Sequence, residues 1–402
     1  MTGVDDPGAG EAGASRGGPL TGLVVLDLSR ALAGPHAAMM LGDLGARVIK
    51  VEHPVGGDDS RGWGPPFVGP DEQPESTYFF SCNRNKESIT LDLKDPVDAD
   101  VLGRLVERAD VLVENFRPGV LDRLGFSVAA LHRRNRRLVI LSITGFGHDG
   151  PEGDRSGYDQ IAQGEAGLMS LTGAAPDQPT RVGVPIADLL AGMYGAYGAV
   201  AALHERAGTG LGTVVRTSLL AAVVGVHAFQ GTRWTVAGEI PRAQGNHHPA
   251  ISPYGAFTAA DGVVQIAVGS EALWRRFAPL VGLDPEDPRF ATNTQRVALR
   301  EPLIAIIDEA LSTAPSATWL PLLEQAGIPA GRVRTLDEVY GWDQTRSQGL
   351  LVDVVHPTAG SITLPGPPLR FDGSGTVTHR APPTLGQHNA SIREWLDGRH
   401  PS

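Results

Sequence analysis

From Leu20 onward, apolar runs of strand length alternate with stretches of helical period. "GLVVLDL" predicts a buried strand, and Ala33-Gly34-Pro35 opens a helix over His36 to Leu44 that Gly45 stops. "RVIKVE" follows as a second strand. Later "SITLDL", a helix from Val97 to Arg108, "DVLVEN", a helix near Val128 to Arg134 and "RLVILSIT" continue the alternation. Continuous apolar strands separated by helices predict a parallel sheet covered on both faces. Ligands of such sheets bind beyond the carboxyl ends of the strands. Those ends carry Ser29-Arg30-Ala31, Glu52-His53, Asn115-Phe116-Arg117 and Thr144-Gly145-Phe146.

A second lobe is predicted after the Gly-rich "AGTGLGTVV". Its clearest element is a hairpin in "SPYGAFTAADGVVQIAVGS", turning at Asp261-Gly262. Helical stretches follow at Glu271 to Val281, Arg300 to Leu311 and Trp319 to Ala326, and "GIPAGRV" reads as a boundary. The organisation predicted is a disordered tail (1–18), a large α/β domain (19–205), a linker (206–230), a small α+β domain (231–326) and a C-terminal segment (327–402). The tail holds Gly8, Gly10 and Gly13 in a G-x-G-x-x-G spacing, but no strand precedes it and no helix follows, so the match carries no meaning.

Composition narrows the function classes. The 402 residues are 41% hydrophobic with a formal net charge of -11, which argues against nucleic acid as a partner. The single cysteine, Cys82, cannot form an internal disulfide, and no Cys/His spacing resembles a metal site. The N-terminus lacks a signal-peptide pattern, and no uninterrupted apolar run of membrane-spanning length stands out. A cytoplasmic protein without a membrane partner is expected.

One carboxylate asks for an explanation. In "VPIADLLAGMYGAYGAVAALHER", Asp188 heads a long apolar helix with no further charge before Glu205 and Arg206. It reads either as a helix N-cap or as a reactive group at the head of the helix, ionised at neutral pH by the helix dipole. The small neighbours Ala187, Leu189, Ala191 and Gly192 suggest a tight, dry approach to it.

"VLDLSRALAGPHAAMMLGDLGARVIKVE", "CNRNKESITLDLKDP", "ADVLVENFRPGVLDRLGF", "ITGFGHDGP", "YDQIAQGEAGLMSLTG", "PIADLLAGMYGAYGAVAALHER" and "GIPAGRV" occur in that order. Together, from about Leu20 to His388, they resemble the family III CoA-transferases, the CaiB/BaiF-like group that includes formyl-CoA and carnitine CoA-transferases. The resemblance implies interlocked homodimers, with a Rossmann-like large domain built from both chain termini and a smaller middle domain. It implies Asp188 as a nucleophile that passes through a mixed anhydride and an aspartyl-CoA thioester. It places coenzyme A against Ala31, Leu32, Ala33, His53, Asn115, Phe116, Arg123, Leu124 and Phe146. His53 stands where relatives can carry an arginine. Tyr158, Gln163, Gly245 and Asn246 are weaker candidates for substrate or loop contacts. No metal and no cofactor beyond coenzyme A as substrate are expected; the partners are an acyl-CoA and a carboxylic acid.

Two other functions share the architecture: an α-methylacyl-CoA racemase and an inactive CoA-binding protein. A racemase needs two acid/base groups, and Tyr158 occupies the position of the racemase histidine, leaving Asp159 or His148 as substitutes. An intact Asp188 argues against an inactive protein. The basic run His132 to Arg137 reads as a solvated helix end, and His247-His248 as too few ligands for a metal. The identity of the two acids is not readable.

Overall fold

The computed structural model describes residues 17–372 and 377–398. Eight strands fall in the first part of the chain: β1 (Val24–Asp27), β2 (Arg47–Glu52), β3 (Phe67–Val68), β4 (Glu75–Ser76), β5 (Lys86–Thr90), β6 (Val111–Glu114), β7 (Val139–Thr144) and β8 (Val214–Ser218). The helices among them are α1 (Ala33–Asp43), α2 (Thr77–Phe80), α3 (Pro96–Arg108), α4 (Val120–Arg123), α5 (Val128–Arg134), α6 (Asp159–Glu165), α7 (Ile186–Thr209) and α8 (Leu219–Gly225). Apart from the short β3–β4 ribbon, the strands form one parallel sheet in the order β5-β2-β1-β6-β7-β8. The chain winds outward in one direction from β1 through β2 to β5, then in the other from β6 to β8. The direction reverses between β1 and β6, so their carboxyl ends diverge and leave a crevice.

Alternate residues divide the two faces of the sheet. Leu26, Ile49, Leu112 and Ile140 pack with Val101, Leu102 and Leu105 of α3 and Leu131 of α5. On the opposite face α1 and α7 pack together against the sheet. Glycines let α7 come close: a Cβ at Gly192 would lie 2.7 Å from the Ala33 carbonyl oxygen, one at Gly195 3.0 Å from Leu141, and one at Gly198 2.6 Å from Val215. The small residues of α7 therefore serve helix and sheet packing, and are not needed to explain access to Asp188. Among the described residues α7 is the one helix long and apolar enough, by length and composition, to cross a membrane, although Gly192, Gly195 and Gly198 interrupt it.

The chain divides into two compact units, the described residues of Met1–Ala166, Gly183–Ala228 and Gln344–Ser402, and those of Gly167–Val182 and Phe229–Asp343. This differs from the expected boundaries in three places. Residues 206–230 are not a linker, since they carry the end of α7, the sixth sheet strand β8, and α8; the Gly-rich start hid a strand only five residues long. Residues 167–182 leave the large unit, tied by Ala243 N–H to the Ser170 carbonyl and by Gly245 N–H to that of Gly173. "GIPAGRV" is no boundary, because Ala330–Arg332 forms β11, pairing with the predicted hairpin of β9 (Tyr254–Ala259) and β10 (Gly262–Ala267). Most of the predicted tail lies outside the described residues. Gly18 is described, and it is buried, with Leu20 N–H donating to the Leu44 carbonyl.

From Gln344 the chain belongs to the first unit. It forms the hairpin β12 (Leu351–His356) and β13 (Gly360–Pro365), then covers the free edge of β5. There Thr90 N–H donates to Asn389 Oδ1 (2.8 Å) and Ser88 N–H to His388 Nδ1 (3.1 Å), so the edge is capped by side chains.

Candidate active site

Asp188 does not cap its own helix. The N-cap of α7 is Pro185, which has no side-chain hydrogen bond, and Asp188 stands three residues on in the first turn. The capping is done from α6: Asp159 Oδ1 accepts the N–H groups of Ala187 (2.8 Å) and Asp188 (3.4 Å), and its Oδ2 accepts from Gln163 Nε2 (2.7 Å). Two carboxylates are thereby drawn to the head of one helix. Burial, and then the Asp159 charge, push the Asp188 carboxyl up to about 7. The expectation of a firmly ionised group is corrected by this: the dipole of α7 is outweighed by desolvation and a like charge.

Other polar groups lie near Asp188. Tyr78, in α2, feels both carboxylates; burial first, and then the charge of Asp188, raise its phenol well above the usual value, so it stays a neutral donor. His36 of α1 packs against Gly192, one turn beyond Asp188, but burial and the Arg84 and Lys86 charges push it down to about 4. At pH 7 the ring is therefore the neutral imidazole and bears no charge.

At the crevice between β1 and β6 lies a cavity of about 510 Å³. His53, Phe116, Arg123 and Leu124, each expected to meet coenzyme A, line it together. Arg30, at the strand tip already expected to face a ligand, lines it too, and so does Lys94, which the sequence reading leaves unnamed although it follows the tip of β5 and the same rule reaches it. Arg30, Lys94 and Arg123 supply three cations. Of the two carboxylates, Glu52 is neutralised by Arg61 at 2.7 Å, and Asp92 accepts the Lys94 N–H (3.0 Å). The cavity therefore offers net positive charge beside the apolar surfaces of Leu91, Phe116 and Leu124, a chemistry suited to a phosphate-bearing nucleotide. His53 Nδ1 is taken by the Val55 N–H, which leaves Nε2 for a ligand.

The other expected contacts sit elsewhere. Asn115 does not line the cavity; it clasps the loop after β1, accepting from Arg30 N–H (2.9 Å) and donating to the Arg30 carbonyl (2.8 Å). Ala31, Leu32 and Ala33 continue that loop into α1, with Leu32 and Ala33 buried. Phe146 is buried under the Arg155 guanidinium, 4.5 Å from its ring. Tyr158 is largely exposed at the start of α6, whereas Gln163 is buried and holds Asp159. The run 132–137 is a helix end, with Arg134 paired to Glu107 at the surface.

In the second unit, Gly245 adopts a left-handed turn (φ 60°) that also presents Asn246. The neighbouring histidines have packing roles. His248 stacks between Phe229 and Tyr254, at 5.5 and 5.2 Å, and its Nδ1 accepts the Ala250 N–H. His247 meets Phe257 edge-on. Among the described residues no group of three or more His, Cys, Asp or Glu is placed to hold a metal ion.

Comparison with known proteins carries the same chemistry. The sequence model of CoA-transferase family III matches residues 20–389. The succinyl-CoA:glutarate CoA-transferase of Homo sapiens is 38% identical over 377 residues, covering 93% of this chain and 85% of that protein. The acetyl-CoA:oxalate CoA-transferase of Acetobacter aceti is 38% identical over 382 residues, covering 94% and 95%. A crystal structure of a CAIB/BAIF family protein from Brucella suis superposes with a TM-score of 0.86 at 38% identity, over 95% of this chain and 100% of that one. With a carboxylate heading an apolar helix, a cationic nucleotide-sized cavity at the reversal of the sheet, and this likeness over nearly the whole chain, the protein belongs to CoA-transferase family III and is a CoA-transferase.

Proposed function

We propose that the protein moves coenzyme A from an acyl-CoA to a carboxylic acid through covalent intermediates on Asp188. The observation that carries this reading is the half-buried Asp188, held at the head of α7 by Asp159 and poised near neutrality. As the anion, Asp188 attacks the thioester carbonyl; a C–O bond forms, the C–S bond breaks and the thiolate leaves. The thiolate then attacks the Asp188 carboxyl carbon, and the donor acid departs with an oxygen that was Asp188's. The acceptor carboxylate attacks the resulting thioester, and the thiolate takes its acyl group from the second anhydride, restoring Asp188. A carboxylate suits each turn because it serves as nucleophile, electrophile and leaving group. The neutral Tyr78 phenol is a donor for the oxyanions formed on the way. The cavity at the sheet reversal takes the nucleotide of coenzyme A, its phosphates on Arg30, Lys94 and Arg123.

The acids are short and dicarboxylic in this reading, because similar proteins are named for succinate with glutarate, for oxalate and for mesaconate. A panel of acyl-CoA donors against carboxylic acids, read by mass spectrometry of the new thioesters, tests it. Turnover with C2 to C5 dicarboxylates supports the reading, and exclusive turnover with monocarboxylates overturns it. We also propose a cytoplasmic homodimer as the working form.

The protonation of Asp188 sets a pH dependence. The nucleophile is the anion, so kcat/KM for the acyl-CoA rises with pH through about 7 and then levels. Asp159→Asn keeps an oxygen to cap α7 but removes the like charge, which lowers the Asp188 pKa. The midpoint of the acid limb should move to lower pH. A limb that stays in place in Asp159→Asn would contradict the assignment of Asp188 to it.

A further inference from the structure

Beneath the loop that follows β1 lies a cluster of charges the reaction does not use. Lys50 and Asp58 side chains are both fully buried, 2.8 Å apart, with Asp27 3.7 Å from the same ammonium and Lys86 2.7 Å beyond it. No substrate reaches groups so enclosed. Their contacts point to another role. Asp58 Oδ1 accepts the Ala31 N–H (3.0 Å), and Lys50 Nζ donates to the Ser29 carbonyl (2.9 Å). Asp58 is itself fixed, accepting from the N–H and Oγ of Ser60 (3.0 and 2.8 Å) and donating its own N–H to Glu52 Oε2 (3.2 Å).

The loop needs such support. Ala31 has φ 64°, the left-handed region that a Cβ disfavours, and one of only three positive-φ non-glycine residues among those described. Its N–H is held by Asp58, its carbonyl by the Cys82 thiol at 3.7 Å, and the preceding Arg30 by Asn115. Arg30 and Leu28, on the near side of this bend, form a wall of the cavity, and Glu52, which holds the Asp58 backbone, forms another part. Relaxation of Ala31 would swing Arg30 out of line with Lys94 and Arg123.

We infer that Asp58, anchored by Lys50, is a positioning residue that keeps the Ser29–Ala33 loop in the conformation that binds coenzyme A. The inference rests on the proposed use of the cavity. The polar contacts of Asp58 run to the Ala31 loop, Ser60, Glu52 and Lys50 and not to Asp188, so its loss should appear in binding more than in the chemical steps.

Three variants test it. Asp58→Ala should raise KM for the acyl-CoA on the order of tenfold or more, with kcat within about threefold of wild type, because a held left-handed residue is released. Adding Ala31→Gly to Asp58→Ala should recover much of that KM, since glycine adopts the left-handed bend unaided. Asp58→Asn keeps the acceptor for Ala31 but removes the nearer counter-charge of Lys50, leaving it Asp27 at 3.7 Å and the Ser29 carbonyl; it should lower Tm while holding KM near wild type, and it remains informative if Asp58→Ala does not fold. A folded Asp58→Ala with unchanged KM, a KM that Ala31→Gly leaves as high, or a raised KM in Asp58→Asn would each overturn the inference. Calorimetry of the wild-type protein with coenzyme A keeps the two readings apart. Absence of binding there would remove the cavity assignment itself.

Discussion

Asp188→Ala is expected to lower kcat for CoA transfer by at least about 10⁴-fold while leaving coenzyme A binding intact, because removal of a nucleophile abolishes every covalent step at once. The fold should tolerate the change. Asp188 makes no capping bond, the first turn of α7 being held by Asp159, so no backbone partner is orphaned. Its electrostatics point the same way. A carboxyl whose folded pKa is raised from its ordinary value to about 7 destabilises the native state progressively as pH rises from about 4 to 7, and fully above that. Asp188→Asn, which removes this charge without changing shape, should therefore be at least as stable as wild type at pH 8 and no more stable at pH 4. Thermal unfolding at the two pH values measures it. A strongly destabilised Asp188→Asn at pH 8 would mean that the carboxylate holds structure, contrary to the geometry.

A second large effect is expected at the outer face of α7. Met193, Tyr194 and Tyr197 recur at helical spacing on the side turned away from the sheet, and Tyr197 is 74% exposed. Exposed apolar side chains grouped in this way favour an interaction surface. The proposed homodimer supplies the occupant, a second copy of the chain. The wild-type protein should then travel at twice its 42.3 kDa, and Met193→Asp with Tyr197→Asp should yield monomers that have lost transfer activity. Light scattering coupled to chromatography reads both. A wild-type monomer with full activity would refute the dimer, and an active dimer carrying both aspartates would show that this face does not form it.

The elements best foreseen are those whose physics is local. β2 is the β-branched stretch "RVIKVE", bounded by Gly45 before it and Pro54 after it, and the helix Arg300–Leu311 follows its own period. The Asp261-Gly262 turn likewise announces its hairpin. What escaped depended on partners far along the chain. β8 is short and follows a glycine-rich stretch, and it becomes a strand because β7 offers an edge. Asp159 is one more first-turn acid of α6 in the sequence; that it caps α7 instead is set by how α6 packs on α7. The same contact explains why the charge state of Asp188 was misread, since the dipole is visible locally and the neighbouring carboxylate is not. Asn115 and Ala31 do lie on loops at the carboxyl end of the sheet, as expected from the strand order, but the contacts they make here hold the loop itself.

The covalent role of Asp188 is the central claim, and intact-protein mass spectrometry tests it most directly. The wild-type protein is mixed with succinyl-CoA without an acceptor acid, quenched in acid, and mapped by peptide. The account predicts an adduct equal to coenzyme A less one water on the peptide bearing Asp188, lost on addition of an acceptor carboxylate and absent from Asp188→Ala. Efficient transfer by Asp188→Ala, or turnover in the wild type with the adduct on another residue, would contradict it.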